Sequence, residues 1–447
     1  MNYKIGELEM NESRREFLKK ATLATAGIAF ASSAKSYARI LGANDRINFG
    51  IIGLHGRGYA HLEGVRMSDN TFVTHICDVD KRELLKFANA TKDKFDTDPL
   101  QIVDFRKLLE SKDVDAISIA TPEHWQAHIA IYGMQAGKDV YVEKPSSHNP
   151  YEGEMLVKAQ KKFGKVVQLG NQQRSAQFTI DIMKKIHEGL IGRAYFGKAW
   201  YSNTRKSIGI GKVVPVPAEL DWELWQGPAP RRQYKDNVHP YNWHWFWRYG
   251  TGECLNNGTH EVDLCRWALQ VDSPKKIISA GGRYHFKDDW EFYDTIETSY
   301  EFDNKMISWE GKSCNGKKIH GKDRGVAIHG TEGTVVMDRG GYEVYSLDDK
   351  KIDEFKVKNT GSTQDLQSID KMTVDHFKNF VNGIRKSEKL NSPISECNKS
   401  VAILQLSNIA WKVGRVLNLD EQGHIVGDKE AMKYWRREYE KGWELKF

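Results

Sequence analysis

From Ile47 to Gly53 the chain reads I-N-F-G-I-I-G and runs directly into a loop, G-L-H-G-R-G, whose glycines are Gly53, Gly56 and Gly58. A short, continuous apolar run is what a buried parallel strand needs, since helices cover both faces of such a sheet. Glycines in the turn that follows let the backbone approach a phosphate and let the next helix pack close to the strand. The usual G-x-G-x-x-G frame would put a glycine where this chain has His55, so the close approach falls to Gly56.

Thr71 to Cys77 forms a second apolar run and ends at Asp78, near the ~20-residue offset expected of the carboxylate that accepts ribose hydroxyls. A carboxylate there repels a 2′-phosphate and favours NAD over NADP. Arg57, a guanidinium in the glycine loop, is a phosphate-binding group and keeps NADP open. Val114 to Ala120 reads as a strand, His124 to Ala136 as a helix and Asp139 to Val142 as a further strand. This alternation predicts a doubly wound parallel sheet, with Thr121, Pro122, Glu143 and Lys144 on the carboxyl edge, where ligands bind.

At 447 residues the chain is too long for one hydrophobic core, and two folded domains are expected. In its second half, strand-like segments recur at 195–201, 276–280, 295–302, 306–309 and 326–329 without regular helical interruptions, an α+β signature. The stretch 400–416 is apolar at helical spacing and predicts a core helix between the domains. A charge of +6, from 66 basic and 60 acidic residues, is too small and dispersed for a nucleic-acid footprint. No apolar run reaches the length of a membrane span. Five cysteines without a C-x-x-C pair argue against a disulfide framework and a structural zinc site, leaving one Cys254–Cys265 bridge open. His124 and His128 share a helix face, but no H-E-x-x-H occurs, and no catalytic metal is expected.

Near the start, Ser13 to Lys19 spells S-R-R-E-F-L-K, ahead of an apolar block from Ala21 to Ala34 and small residues at Ser36 and Ala38. Residues 1 to 38 thus resemble a twin-arginine signal peptide. That resemblance implies the twin-arginine machinery as a partner, export of an already folded protein to the periplasm, and a cofactor acquired before export.

Several separated motifs carry a second resemblance: the glycine loop, Asp78, A-T-P-E-H at 120–124, E-K-P at 143–145, Q-L-G-N-Q-Q-R at 168–174, D-W-x-x-W-x-G-P at 221–228 and N-G-T-H-E-V-D at 257–263. Together they resemble the Gfo/Idh/MocA oxidoreductases. The resemblance implies a Rossmann domain over residues 39–165 and an α+β domain over 166–447, with a large, mainly antiparallel sheet and assembly as a homo-dimer or tetramer. It also implies hydride transfer between a tightly bound nicotinamide and a secondary alcohol of a sugar, glycoside or polyol.

Oxidising such an alcohol requires a group that handles the hydroxyl proton. In the family the lysine of E-K-P contacts that hydroxyl and a D-x-G-x-H element supplies an acid/base histidine; the corresponding residues are Lys144 and His260, with Asn256 in place of the aspartate. Asn256 can hold a hydroxyl or orient His260 but carries no charge, so His260 is expected near its ordinary pKa of about 6.5, with Asp263 or Glu261 as substitute carboxylates. His124 and Glu143 join the cofactor side through their motifs. Gln172, Arg174 and Asp263 join the substrate side, and Trp243, Trp245 and Trp247 offer either sugar-stacking faces or packing. Two other functions remain: a redox-assisted glycosidase, in which oxidation at C3 acidifies the C2 proton for elimination, and a non-catalytic sugar- or partner-binding protein, to which Asn256 points.

Overall fold

The computed structural model describes residues 45–358 and 370–447; the expected signal segment lies outside them. Six strands form a parallel sheet: β1 (Ile47–Ile52), β2 (Thr71–Cys77), β3 (Leu100–Ile102), β4 (Ala116–Ile119), β5 (Asp139–Val142) and β6 (Val167–Leu169), in the order β3-β2-β1-β4-β5-β6. The order reverses between β1 and β4, which opens a crevice at their carboxyl ends. Helices α1 (Gly56–Arg66), α2 (Lys81–Phe95), α3 (Phe105–Glu110), α4 (Glu123–Gln135) and α5 (Pro150–Phe163) make the crossovers. Their ends follow local chemistry. Asp80 caps α2 by accepting from the Arg82 amide, while Asn149 caps α5 ahead of Pro150, and Gly164 at φ 62° stops that helix.

A second sheet has nine strands: β7 (Ala194–Ser202), β8 (Lys276–Gly282), β9 (Thr295–Glu301), β10 (Met306–Lys312), β11 (Arg324–Gly330), β12 (Gly333–Asp338), β13 (Gly341–Ser346), β14 (Lys351–Lys356) and β15 (Leu417–Asn418), ordered β14-β13-β12-β11-β7-β10-β9-β8-β15. Only the β7–β10 pair is parallel. Helices α6 (Gln177–His187), α7 (Trp222–Gln226), α8 (Gly252–Asn256) and α9 (Gly258–Leu269) precede or cover it. Helix α9 lies on β7, where a Cβ on Gly197 would come within 2.9 Å of Cys265. All five cysteines are free, and Cys254 faces the Leu404 carbonyl, so the 254–265 bridge does not form.

Two expected boundaries change. Strand β6 extends the first sheet past residue 165. Helix α10 (Lys371–Ile384), from far along the chain, packs on α1 and seals the first domain: Phe377 stacks on Tyr141 at 4.2 Å and fills the space that a Cβ on Gly64 would occupy. The residues around the first sheet are therefore not one continuous stretch. Helix α11 (Ile394–Val413) packs against both α5 and β8, and its Ser407 and Asn408 bond the hydroxyls of Tyr300 and Tyr293. No described helix is long and apolar enough to cross a membrane.

Candidate active site

The crevice at the carboxyl edge continues into a cleft of about 700 Å³, with one wall from the glycine turn and the other from α8, α9 and strands β7 and β11. Gly53 takes φ +88°, and a Cβ there would come within 2.7 Å of the Ala120 and Thr121 backbone, so no side chain fits. A Cβ on Gly58 would meet the Gly53 carbonyl at 2.5 Å, which explains how α1 seats against the turn. Gly56, the first residue of α1, has nothing within 4 Å of that position. The turn thus offers an open cradle at a helix N-terminus, which suits a pyrophosphate. His55, Thr121 and Pro122 line the same space.

Asp78 accepts from the Leu54 amide at 2.8 Å and the Asp80 amide at 2.9 Å, tying the glycine loop to the end of β2 while lining the cleft. Burial raises its pKa to about 6. Its remaining lone pairs suit ribose hydroxyls. Arg57 does not point to a phosphate: its Nε donates to Glu143 at 2.7 Å and its Nη2 to Thr373 at 3.0 Å, with Asp370 at 3.8 Å. The cation that left NADP open is spent on a protein carboxylate, and the fit is to NAD. Burial works against an ionised Glu143, but Arg57, His61 and Lys144 outweigh it and hold the carboxyl well below its ordinary range.

Lys144 follows directly and crosses the cleft. Its Nζ donates to the Asn256 carbonyl at 2.5 Å and to Asn256 Oδ1 at 3.1 Å, and burial lowers its pKa. Asn256 therefore holds Lys144, not His260. His260 lines the same cleft with Nδ1 buried and unpartnered. Burial, then Arg324 and Lys144, push its pKa well below 6.5, so the imidazole is neutral at neutral pH, contrary to the value expected from the sequence. Neither proposed substitute carboxylate serves it. Glu261 takes Arg324 at 2.8 Å, and Asp263 takes Arg174 at 2.6 and 2.9 Å.

Several expected positions fall elsewhere. Arg174 and Asp263 form a buried pair outside the cleft lining, closed by Ser400. His124 is fully buried, its ring bonded to the Trp225 and Tyr249 carbonyls, and His128 bonds the Trp443 carbonyl, so both are packing residues. Trp245 stacks on Trp290 at 3.9 Å and Trp247 on Phe292 at 4.9 Å, both outside the cleft lining. Of the three tryptophans only Trp243 lines it, stacked on His244 at 3.6 Å. Gln172 is in place and donates to Glu143 at 2.9 Å and to the Tyr141 hydroxyl at 3.1 Å.

Two residues not singled out from the sequence complete the site. Glu123, inside A-T-P-E-H, is buried in the cleft wall, accepts from the Thr251 hydroxyl at 2.5 Å and is raised by burial to about 7. Arg324, at the start of β11, uses two nitrogens on Glu261 and Asn257 and leaves Nη2 buried without a partner, a donor available to a substrate oxygen. Among the described residues no group of three or more His, Cys, Asp or Glu is gathered to hold a metal ion.

An open glycine turn on a doubly wound sheet, a ribose-side carboxylate and a lysine–histidine pair facing the same space define an NAD-dependent oxidoreductase. The sequence matches the Gfo/Idh/MocA oxidoreductase family, its NAD-binding Rossmann fold over residues 47–171 and its C-terminal alpha/beta domain over 196–445. The chain belongs to this family. Curated relatives include glycosyl hydrolase family 109 proteins of Saccharopolyspora erythraea (28% identical over 221 residues, 45% of this chain and 48% of the relative) and Solibacter usitatus (29% over 226 residues, 48% and 50%). The chain thus spans about half the length of the curated relatives it matches. Among solved structures, the fold resembles the WlbA dehydrogenase of Bordetella pertussis in complex with NADH and UDP-GlcNAcA (TM-score 0.62, 19% identity, 84% of this chain and 99% of that one). It also resembles levoglucosan dehydrogenase in complex with NADH and levoglucosan (TM-score 0.63, 18% identity, 83% and 99%).

Proposed function

We propose that this chain is an exported dehydrogenase that oxidises a secondary alcohol of a sugar, glycoside or polyol. The observation that carries this reading is the convergence of Lys144 Nζ and the neutral His260 ring on the cleft that begins at the open Gly56 turn. NAD, when bound, supplies the hydride acceptor. His260, uncharged, accepts a hydrogen bond from the substrate hydroxyl. Lys144 has two N–H groups on Asn256 and a third for the alcohol oxygen, where its charge stabilises the developing alkoxide. Arg324 Nη2 and Trp243 position the rest of the ring. Export rests on the Ser13–Lys19 motif, and a cofactor carried out of the cytoplasm is recycled in place by a second substrate. Assembly as a dimer or tetramer through the nine-stranded sheet belongs to the same reading and is measured by light scattering.

Native mass spectrometry of the purified protein is expected to find stoichiometric NAD(H). A screen of sugars, glycosides and polyols, read by absorbance at about 340 nm, is expected to show reduction of that cofactor by at least one of them. A protein that retains the cofactor and reduces it with none of them would sink the reading.

Glu123 gives the pH dependence. Its carboxyl is protonated below about 7 and ionised above, and Lys144 is close enough to favour the ionised form. As a carboxylate it favours the ammonium form of Lys144 that stabilises the alkoxide, while the alcohol proton passes to the neutral His260 ring, so oxidation is expected to rise with pH through about 7. Glu123→Gln flattens this limb, whereas His260→Ala lowers the rate without moving it. A kcat/KM profile that keeps its inflection in Glu123→Gln assigns it to another group.

A second reading, redox-assisted glycoside cleavage, is favoured by the likeness to glycosyl hydrolase family 109 proteins together with Glu123, a carboxyl able to protonate a departing oxygen at neutral pH. In deuterated water this reading requires deuterium at the sugar C2 and aglycone release without net NADH; simple oxidation gives neither.

A further inference from the structure

The segment Trp243–Asn256 separates the cofactor cleft from a second cavity of about 970 Å³, and the two share no lining residue. The far walls of this cavity are residues 230–238, helix α11 and the segment Lys433–Glu438. Its charge is net positive, with seven Lys and Arg side chains against Glu291 and Glu438 in the lining. Arg231, Lys235 and Arg437 are matched by Glu223, Asp289 and Glu152. Arg232, Arg248, Lys433 and Arg436 have no carboxylate within ion-pair distance among the described residues. Arg248 spends one nitrogen on the Pro230 carbonyl at 2.8 Å, and burial, followed by the nearby charge of Arg232, lowers its pKa. Two guanidiniums facing one space repel each other unless an anion lies between them.

The same cavity carries groups suited to a sugar ring. Tyr434 presents aromatic surface, edge-on to Trp247. Gln405, 3% exposed, lines the cavity, donates its amide to Ser147 and leaves Oε1 buried without a partner. An orphaned acceptor of this kind costs free energy until a donor such as a sugar hydroxyl reaches it. We propose that this cavity is a second carbohydrate site that binds an acidic saccharide bearing a carboxylate or a sulfate ester, with Arg232 and Arg248 on the anionic group, Gln405 on a hydroxyl and Tyr434 against the ring. The site stands on its own lining and does not depend on which alcohol the cofactor cleft oxidises.

Calorimetric titration of the NAD-loaded protein with trigalacturonate, galactose 6-sulfate and neutral galactotriose tests it. At least one acidic probe is expected to bind about 10-fold or more tighter than galactotriose, and which one does so separates carboxylate from sulfate recognition. Arg232→Gln, at an exposed position that makes no demand on folding, and Arg248→Gln are each expected to weaken that binding about 10- to 100-fold without changing NAD content. Lys144→Ala leaves it unchanged. The proposal is overturned by equal affinity for galactotriose, by unaltered binding in both arginine variants, by no binding up to about 10 mM, or by loss of binding in Lys144→Ala, which would place the probe in the cofactor cleft. It is likewise overturned if Arg232→Gln dissociates an oligomer, which would make this face a subunit contact.

Discussion

Lys144→Ala is expected to lower turnover in alcohol oxidation by about 10²- to 10⁴-fold while the purified protein keeps its full complement of NAD. The two effects separate because different residues carry them. The cofactor cradle is built by Gly53, Gly56 and the Asp78 bonds to the loop, none of which involves the lysine side chain. Lys144 is the cation aimed across the cleft, buried, and held by both oxygens of Asn256. Alanine removes the charge at the alcohol oxygen that stabilises the developing alkoxide. An arginine there should not rescue, because a planar guanidinium cannot reproduce one ammonium placed between Asn256 and a substrate oxygen. Asn256→Asp sets a carboxylate in contact with the ammonium, offsets part of its charge at the alcohol oxygen and slows oxidation near neutral pH. Turnover in Lys144→Ala equal to wild type, measured with NAD content verified in the same sample, removes Lys144 from the reaction.

Elements bounded by strong local signals could be read from the sequence. Thr71–Cys77 and Asp139–Val142 are strands at the expected residues, since apolar runs there end at polar or charged positions. The three-residue strands β3 and β6 carry too few side chains for a period to show. That α10 belongs with the first sheet was invisible for another reason: an amphipathic pattern marks an apolar face but not its partner, and here the partner is Gly64, made accessible by its missing side chain. In the site, the i, i+4 spacing of Asn256 and His260 would place both on one face of a continuous helix. The chain breaks at Asn257, between α8 and α9, and Asn256 turns to Lys144. Trp245 and Trp247 share an aromatic cluster with Trp243, but Trp245 ends the 3₁₀ turn that contains Trp243 and stacks on Trp290, while Trp247 lies beyond the turn and stacks on Phe292. Glu123 sits in the first turn of α4, where a glutamate ordinarily complements the helix dipole in solvent. Only its burial and the Thr251 contact, from over a hundred residues away, make it a titrating group in the cleft.

Arg174 and Asp263 were drawn to the substrate side by their motifs, and their structural role leads to a large expected loss of stability. Asp263 is 1% exposed and Arg174 7%; two hydrogen bonds join them, Ser400 donates to Asp263 at 2.6 Å, and the guanidinium lies 5.1 Å from the Trp267 ring centre. Burial disfavours the charged carboxyl, yet Arg174 more than offsets this and lowers the Asp263 pKa. A carboxyl depressed in the folded state stabilises the fold above the ordinary carboxylate range, and that contribution disappears as pH falls through the folded value. Asp263→Ala leaves a buried guanidinium without its counter-charge, so the fold is expected to lose about 3–5 kcal/mol. Replacing both residues with apolar side chains of similar volume, Arg174→Met with Asp263→Leu, strands no charge and is expected to recover most of the loss. Urea unfolding of the NAD-loaded protein measures both variants. An Asp263→Ala protein with the wild-type midpoint and weakened substrate binding would return the pair to the active site; a lowered midpoint restored in the double variant identifies the two charges as a support that holds α9 against the 3₁₀ turn after β6, and through it holds His260 in the cleft.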